Sequence, residues 1–247
     1  MPAVFVHGNP ESAAIWDELF VQLSRKDVVA LSPPGFGAPV TPSFDATADS
    51  YLQWLVGELE RIDGPIDLVG HDWGGAHVLR VAMSRPDLIR SWVSDIAGCF
   101  EPDYVWHEMA QTWQTAGAGE QLVAQTVAAP VAMRAARFRS LGVGAASDRV
   151  AAAVDADMGR CILALYRSGA QPAMAHWGRD LPAAAKRPGL VIIPTEDQYT
   201  GGEAMASRAA ARAGARTVVL QGRGHWWMCE DPALGARLLD EFFASLG

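Results

Sequence analysis

Short apolar runs recur along both ends of the chain: "AVFV" (Ala3 to Val6), "VVAL" (Val28 to Leu31), "IDLV" (Ile66 to Val69), "SWVSDIA" (Ser91 to Ala97), "LVII" (Leu190 to Ile193) and "RTVVL" (Arg216 to Leu220). Each has strand length and is separated from the next by segments with helical spacing, so the pattern predicts a parallel sheet covered on both faces. In "ADSYLQWLVGELERI", for example, Tyr51, Leu52, Leu55, Val56 and Leu59 fall three and four residues apart, and Asp49 is placed to cap that helix.

The stretch from 100 to 180 breaks the alternation. "WHEMAQTWQTAGAGEQLVAQTVAAPVAMRAARFRSLGVG" and the Ala-rich segment after it have helical spacing and no strand-like run. An α/β core made of 1–99 and 181–247, with residues 100–180 inserted as a helical cap over the strands' C-terminal ends, is the organisation expected. The sequence contains no internal repeat.

Composition narrows the class. The chain has 247 residues, 50% of them hydrophobic, and a formal net charge of -8. That is enough for one well-packed α/β domain with an insertion, and the acidity argues against nucleic acid or an anionic membrane as partner. No window approaches 18 uninterrupted apolar residues, and "MPAVFVHGNP" has neither a basic segment nor a long apolar run. A soluble, cytoplasmic protein is expected, as a monomer or small homo-oligomer. Cys99, Cys161 and Cys229 share no metal-ligand spacing, which predicts reduced, buried thiols.

The chemistry concentrates in four loops. In "DLVGHDWGG" an apolar strand ends at Gly70, Asp72 follows, and two glycines precede a helix. This is the G-x-nucleophile-x-G arrangement of a sharp strand-to-helix turn, which sets the central side chain above the sheet. "VFVHGNP" ends another strand with Asn9, a loop placed to give a backbone N–H to an oxyanion hole. "VIIPTEDQY" ends a later strand with Asp197, and "VVLQGRGHWWMCEDP" ends the last with His225. Nucleophile, acid and histidine thus follow one another in order, each just past a strand.

On "HGNP", "GHDWGG" and "GHWW" the chain resembles the α/β-hydrolase-fold superfamily, in the subgroup of epoxide hydrolases and haloalkane dehalogenases. Members usually carry a β-hairpin before the "HG" strand, and the present chain starts almost at that strand, so a sheet two strands shorter is expected. The resemblance implies Asp72, Asp197 and His225 as catalytic residues. It places the acid at Asp197 rather than Glu196, and leaves Asp95 inside its strand. It also implies an Asn9 and Trp73 clamp on a departing halide. For an epoxide it implies tyrosine acids from the cap, of which Tyr166 in "LYRSG" matches one and nothing matches the second. Fluoroacetate-type dehalogenases resemble "HDRG" at the turn, where this chain has Trp73.

Aspartate in place of serine changes the reaction. A carboxylate is ionised at neutral pH, and its attack on a carbonyl would give a mixed anhydride, so it suits a saturated carbon with a leaving group. The product is an alkyl ester of Asp72. His225, held by Asp197, then takes a proton from water attacking that ester, while the backbone N–H groups of Asn9 and Trp73 hold the oxyanion. A haloalkane dehalogenase-like hydrolase is the first reading, an epoxide hydrolase giving a vicinal diol the second, and a non-catalytic, ligand-sensing protein the third. The partners are a small apolar organic substrate and water, with no cofactor or metal. Trp106, Trp113, Trp177 and Trp226 are expected to line the pocket, and His107 and His176 to pack in the cap or face solvent.

Overall fold

A computed structural model describes all 247 residues. Six strands form one parallel sheet: β1 (Ala3–Val6), β2 (Val28–Leu31), β3 (Ile66–Gly70), β4 (Ile89–Ser94), β5 (Gly189–Pro194) and β6 (Arg216–Leu220), in the order β2-β1-β3-β4-β5-β6. The inner strands β1, β3 and β5 are buried throughout, whereas β2 and β6 at the edges are half exposed. That is why the inner runs are apolar at consecutive positions.

Strand order reverses at β1. The chain leaves β1 in one direction to reach β2 and returns to the other side of β1 as β3. Ligands of such sheets bind outside the strands' C-terminal ends at this reversal. Here it brings the loop after Val6 beside the turn after Gly70, with which Val6 is in register.

Helices α1 (Asp17–Gln22), α2 (Ala48–Leu59) and α3 (Trp73–Ser84) connect the first four strands. Thr47, not Asp49, caps α2: its hydroxyl accepts the Ser50 N–H at 3.3 Å, while Asp49 pairs with Arg80. β4 also ends earlier than its apolar run suggests. It stops at Ser94, and a 3-10 turn over Ala97–Phe100 takes Ile96 and Ala97 out of the sheet, so Asp95 lies just past the strand rather than inside it.

Between β4 and β5 the chain forms α4 (Glu108–Gln114), α5 (Ala118–Ala128), α6 (Val131–Ser140), α7 (Ser147–Ala153), α8 (Ala156–Ser168) and α9 (Ala173–Trp177), then a 3-10 segment to Lys186. In α8 the residues Met158, Cys161, Ile162, Leu165 and Tyr166 share one buried face at helical spacing, which carries Tyr166 inward. After β5 come α10 (Gly202–Arg212), α11 (Trp227–Glu230) and α12 (Pro232–Ala244). All three cysteines are free thiols, Cys99 and Cys161 buried and Cys229 partly so. No helix is long and apolar enough to cross a membrane.

Candidate active site

Asp72 sits at the turn from β3 to α3 with φ 51° and ψ −132°, a backbone state that costs an L-residue about 1–3 kcal/mol. The surroundings enforce it. A Cβ on Gly74 would lie 2.2 Å from the Val6 carbonyl oxygen, and one on Gly8 would lie 2.1 Å from Asp72 Oδ1. Glycine at both positions lets β1 and its loop close on the turn. Two hydrogen bonds then fix the aspartate: its own N–H donates to Asp95 Oδ1, and the Asn9 N–H donates to its Oδ1, each at 3.0 Å.

His225 follows β6 and turns its imidazole to the same point. Nε2 lies 3.7 Å from Asp72 Oδ2, and Nδ1 is 2.8 Å from Asp197 Oδ2. Asp197 is oriented in turn by the Tyr199 N–H, 2.7 Å from its Oδ1. Glu196 points to solvent. Burial pushes the Asp72 carboxyl up to about 6, against the pull of the His225 charge. For His225 burial acts downward, but the Asp197 charge overrides it and the pKa is raised. Asp197 is lowered: burial opposes ionisation and the His225 partner outweighs it.

A second buried cluster lies beneath, and sequence reasoning missed it. His71 places Nδ1 2.6 Å from Asp95 Oδ2 and Nε2 3.2 Å from Glu11 Oε1. Glu11 also accepts the Trp226 indole N–H and the Gly8 N–H, and Asp95 accepts the Trp227 indole N–H at 2.8 Å. Burial disfavours a charge on His71, yet the two carboxylates raise its pKa well above the ordinary value. Glu11 falls to about 2, the His71 charge outweighing its burial. The available signal was an acid directly after "HGNP" and another after "SWVS", the second interrupting an apolar run. Glu11, His71 and His225 also bring ligand-type atoms within 4.8 Å of one another. Those atoms are already committed to hydrogen bonds and ion pairs inside the protein.

A cleft of about 30 Å³ opens above Asp72. Core loops supply Asn9, Asp72, Tyr199, His225 and Trp226 to its wall, and the helical insertion supplies His107, Met109, Trp113 and Tyr166. The phenol of Tyr166 is pushed well above its ordinary pKa by burial and then by the Asp72 charge, so it stays protonated. Both polar atoms of the Asn9 side chain and the indole N–H of Trp73 are buried without a protein partner. Such groups cost about 1–3 kcal/mol each.

Two of the four expected pocket tryptophans, Trp113 and Trp226, line the cleft. Trp106 does not; it stacks on Trp73, ring centroids 5.7 Å apart, one layer behind the wall. Trp177 is elsewhere altogether, because the Arg80 guanidinium lies 4.1 Å over its ring and holds it against α3. His107 packs among the aromatic rings of the insertion, with Tyr166 at 6.4 Å and Trp113 at 6.5 Å between centroids, and also lines the cleft, while His176 is exposed.

The sequence pattern of the alpha/beta hydrolase family matches residues 3–238. The chain belongs to that family. Among curated alpha/beta hydrolase relatives, it is 37% identical over 100 residues to epoxide hydrolase 2 of Siraitia grosvenorii, covering 38% of this chain and 31% of that one. It is 29% identical over 92 residues to a haloalkane dehalogenase of Agrobacterium fabrum, covering 36% and 30%. The matched part spans about a third of the length of these relatives. The crystal structure of an E-2-(acetamidomethylene)succinate hydrolase superposes with a TM-score of 0.75 at 17% identity, over 98% of this chain and 91% of that one, which is a likeness of fold. This alpha/beta hydrolase is thus similar to enzymes of several chemistries.

Proposed function

We propose that the chain hydrolyses small apolar molecules at an sp3 carbon through an alkyl ester on Asp72, with halide as the leaving group. The carrying observation is an aspartate in the strained turn, with Oδ1 held by the Asn9 N–H and Oδ2 3.7 Å from His225 Nε2. The freer oxygen, Oδ2, bonds to carbon while the carbon–halogen bond breaks and its electron pair leaves on the halide. The unpartnered Asn9 amide and Trp73 indole N–H are suited to hold that anion. Water then attacks the ester carbonyl as His225 Nε2 takes its proton. Collapse of the oxyanion returns that proton to the departing alkoxide and frees Asp72. Residues 100–180 act as a cap, since four of their side chains face Asp72 across the cleft.

Epoxide opening to a vicinal diol is the second reading, favoured by the protonated Tyr166 phenol in the cleft wall. A purely ligand-sensing role leaves the His225 and Asp197 pair without a use. The test is intact mass spectrometry of His225→Ala after incubation with 1-halobutanes and with styrene oxide. An adduct on Asp72 is expected, of the butyl group alone from a halobutane, whose halide has left, or of the whole molecule from styrene oxide, and it should be absent from Asp72→Ala. If neither substrate class leaves one, the ester mechanism is wrong.

A further inference from the structure

His107 immediately precedes α4, and its side chain has two ends with different duties. The backbone is extended there, and Nδ1 accepts the Ala110 N–H at 3.2 Å, capping the helix. A ring nitrogen that accepts a hydrogen bond carries no proton, so the neutral imidazole bears its proton on Nε2. Nε2 has no hydrogen-bond partner in the protein, and the ring stands in the cleft wall with Asp72, Tyr166 and His225. Tyr199 packs edge-on at 4.9 Å between centroids and Tyr166 at 6.4 Å, which holds the ring in place. Burial, reinforced by the His225 charge, pushes its pKa down to about 4. The ring is therefore neutral wherever Asp72, at about 6, is ionised.

We infer that His107 is a leaving-group donor: its Nε2–H, fixed in that tautomer by the Ala110 amide, binds the atom that departs from the substrate carbon as Asp72 attacks. One bond forms, from Asp72 to carbon, and one breaks, from carbon to the leaving atom. The electron pair of the broken bond goes with that atom, and the proton stays on Nε2. The inference rests on the Asp72 ester reading and adds to it a donor from the insertion. It also fills the place where the sequence offers no second tyrosine, because a neutral imidazole N–H can hydrogen-bond a departing halide or alkoxide as a phenol O–H can, while the proton an alkoxide needs comes from Tyr166.

The test separates this role from helix capping. His107→Asn keeps a side-chain acceptor for Ala110 but is too short to carry a donor to the same point, whereas His107→Phe loses both. Ester formation on Asp72 is followed by intact mass in the His225→Ala background with 1-chloro-, 1-bromo- and 1-iodobutane and with styrene oxide. Chloride, the poorest halide leaving group, depends most on the donor. His107→Asn is expected to slow the chlorobutane reaction about 100-fold and the iodobutane reaction only a few-fold, with a loss of about 100-fold for the epoxide if that is the substrate. A rate unchanged in His107→Asn, or reduced equally for all three halides, overturns the inference. Absence of any adduct in the His225→Ala parent instead overturns the ester mechanism itself.

Discussion

The imidazoles of His71 and His225 lie 4.5 Å apart, centroid to centroid, inclined at 52°. Glu11 and Asp95 hold the proton on His71, and the charge so fixed opposes a second one on His225. Asp197 and Asp72 act in the other direction. His225 is therefore balanced between a cation below it and two carboxylates beside it. Alkylation of Asp72 removes one of those carboxylates. The first step of the proposed reaction thus releases His225 toward the neutral form that the second step needs.

Asp95 ties this balance to the fold. It accepts from the Asp72 N–H, from His71 and from the Trp227 indole, all buried. Asp95→Asn leaves the His71 charge with a single carboxylate and places an amide donor among donors. A loss of about 3–5 kcal/mol is expected from urea unfolding midpoints, by the cost of breaking a buried ion pair. A loss below about 1 kcal/mol would mean that the cluster has no part in holding the turn.

Activity should depend on pH in two separable steps. Alkylation needs the Asp72 carboxylate, whose pKa burial raises to about 6, so its rate falls as pH drops through 6. Ester hydrolysis needs neutral His225, whose pKa Asp197 raises against burial, so that step speeds up as pH climbs past the ordinary histidine range. Between the two, the ester forms faster than it breaks down. During turnover, intact mass should show a larger ester fraction at pH 6 to 7 than at pH 9. A larger fraction at pH 9 would reverse the roles given to the two residues.

The sheet and the meeting of Asp72, Asp197 and His225 were readable because they are written in local patterns: continuous apolar strands, glycines where the turn closes, and an acid or histidine two to five residues past a strand end. Asp49 misled because two oxygen-bearing residues compete to start α2, and Arg80 claims the aspartate. Trp177 misled because composition cannot say which ring an arginine will cover. The Glu11, His71 and Asp95 cluster joins residues 11, 71 and 95 through the reversal of strand order, which no single window contains. His107 was hidden because its role depends on which of its nitrogens α4 occupies.

His77 offers a test of burial alone. It is fully buried on α3, its Nδ1 has no partner, and it stacks on Tyr51 at 5.4 Å. Burial, with Arg80 adding to it, lowers its pKa to about 3. A histidine depressed in the folded state gives stability that is full above the unfolded value of 6.5 and is lost as pH falls from there toward 3. His77→Phe, which keeps the stacking and cannot be protonated, should therefore gain on the parent by about 1.4 kcal/mol between pH 7.5 and 5.5, read from urea melts. Parallel curves would show that His77 is protonated equally in both states.

The leaving group is decided by two substitutions used together. Asn9→Ala removes the side-chain amide but keeps the backbone N–H that holds Asp72 Oδ1, so the carboxylate stays in place. Tyr166→Phe removes the only phenol lining the cleft from the insertion and keeps the ring against Trp73, 5.5 Å away between centroids. If halide leaves, Asn9→Ala should lower kcat/KM for 1-chlorobutane by about 10 to 100-fold and Tyr166→Phe by less than threefold, since a halide needs donors to stabilise its charge but no proton. If an epoxide oxygen leaves, the order inverts, because an alkoxide without an acid beside it is a poor leaving group and Tyr166 is the acid. Ion chromatography of released halide and chromatographic assay of diol, run on both variants, read the two cases directly. Equal losses in both variants on both substrates would mean that neither side chain meets the departing atom.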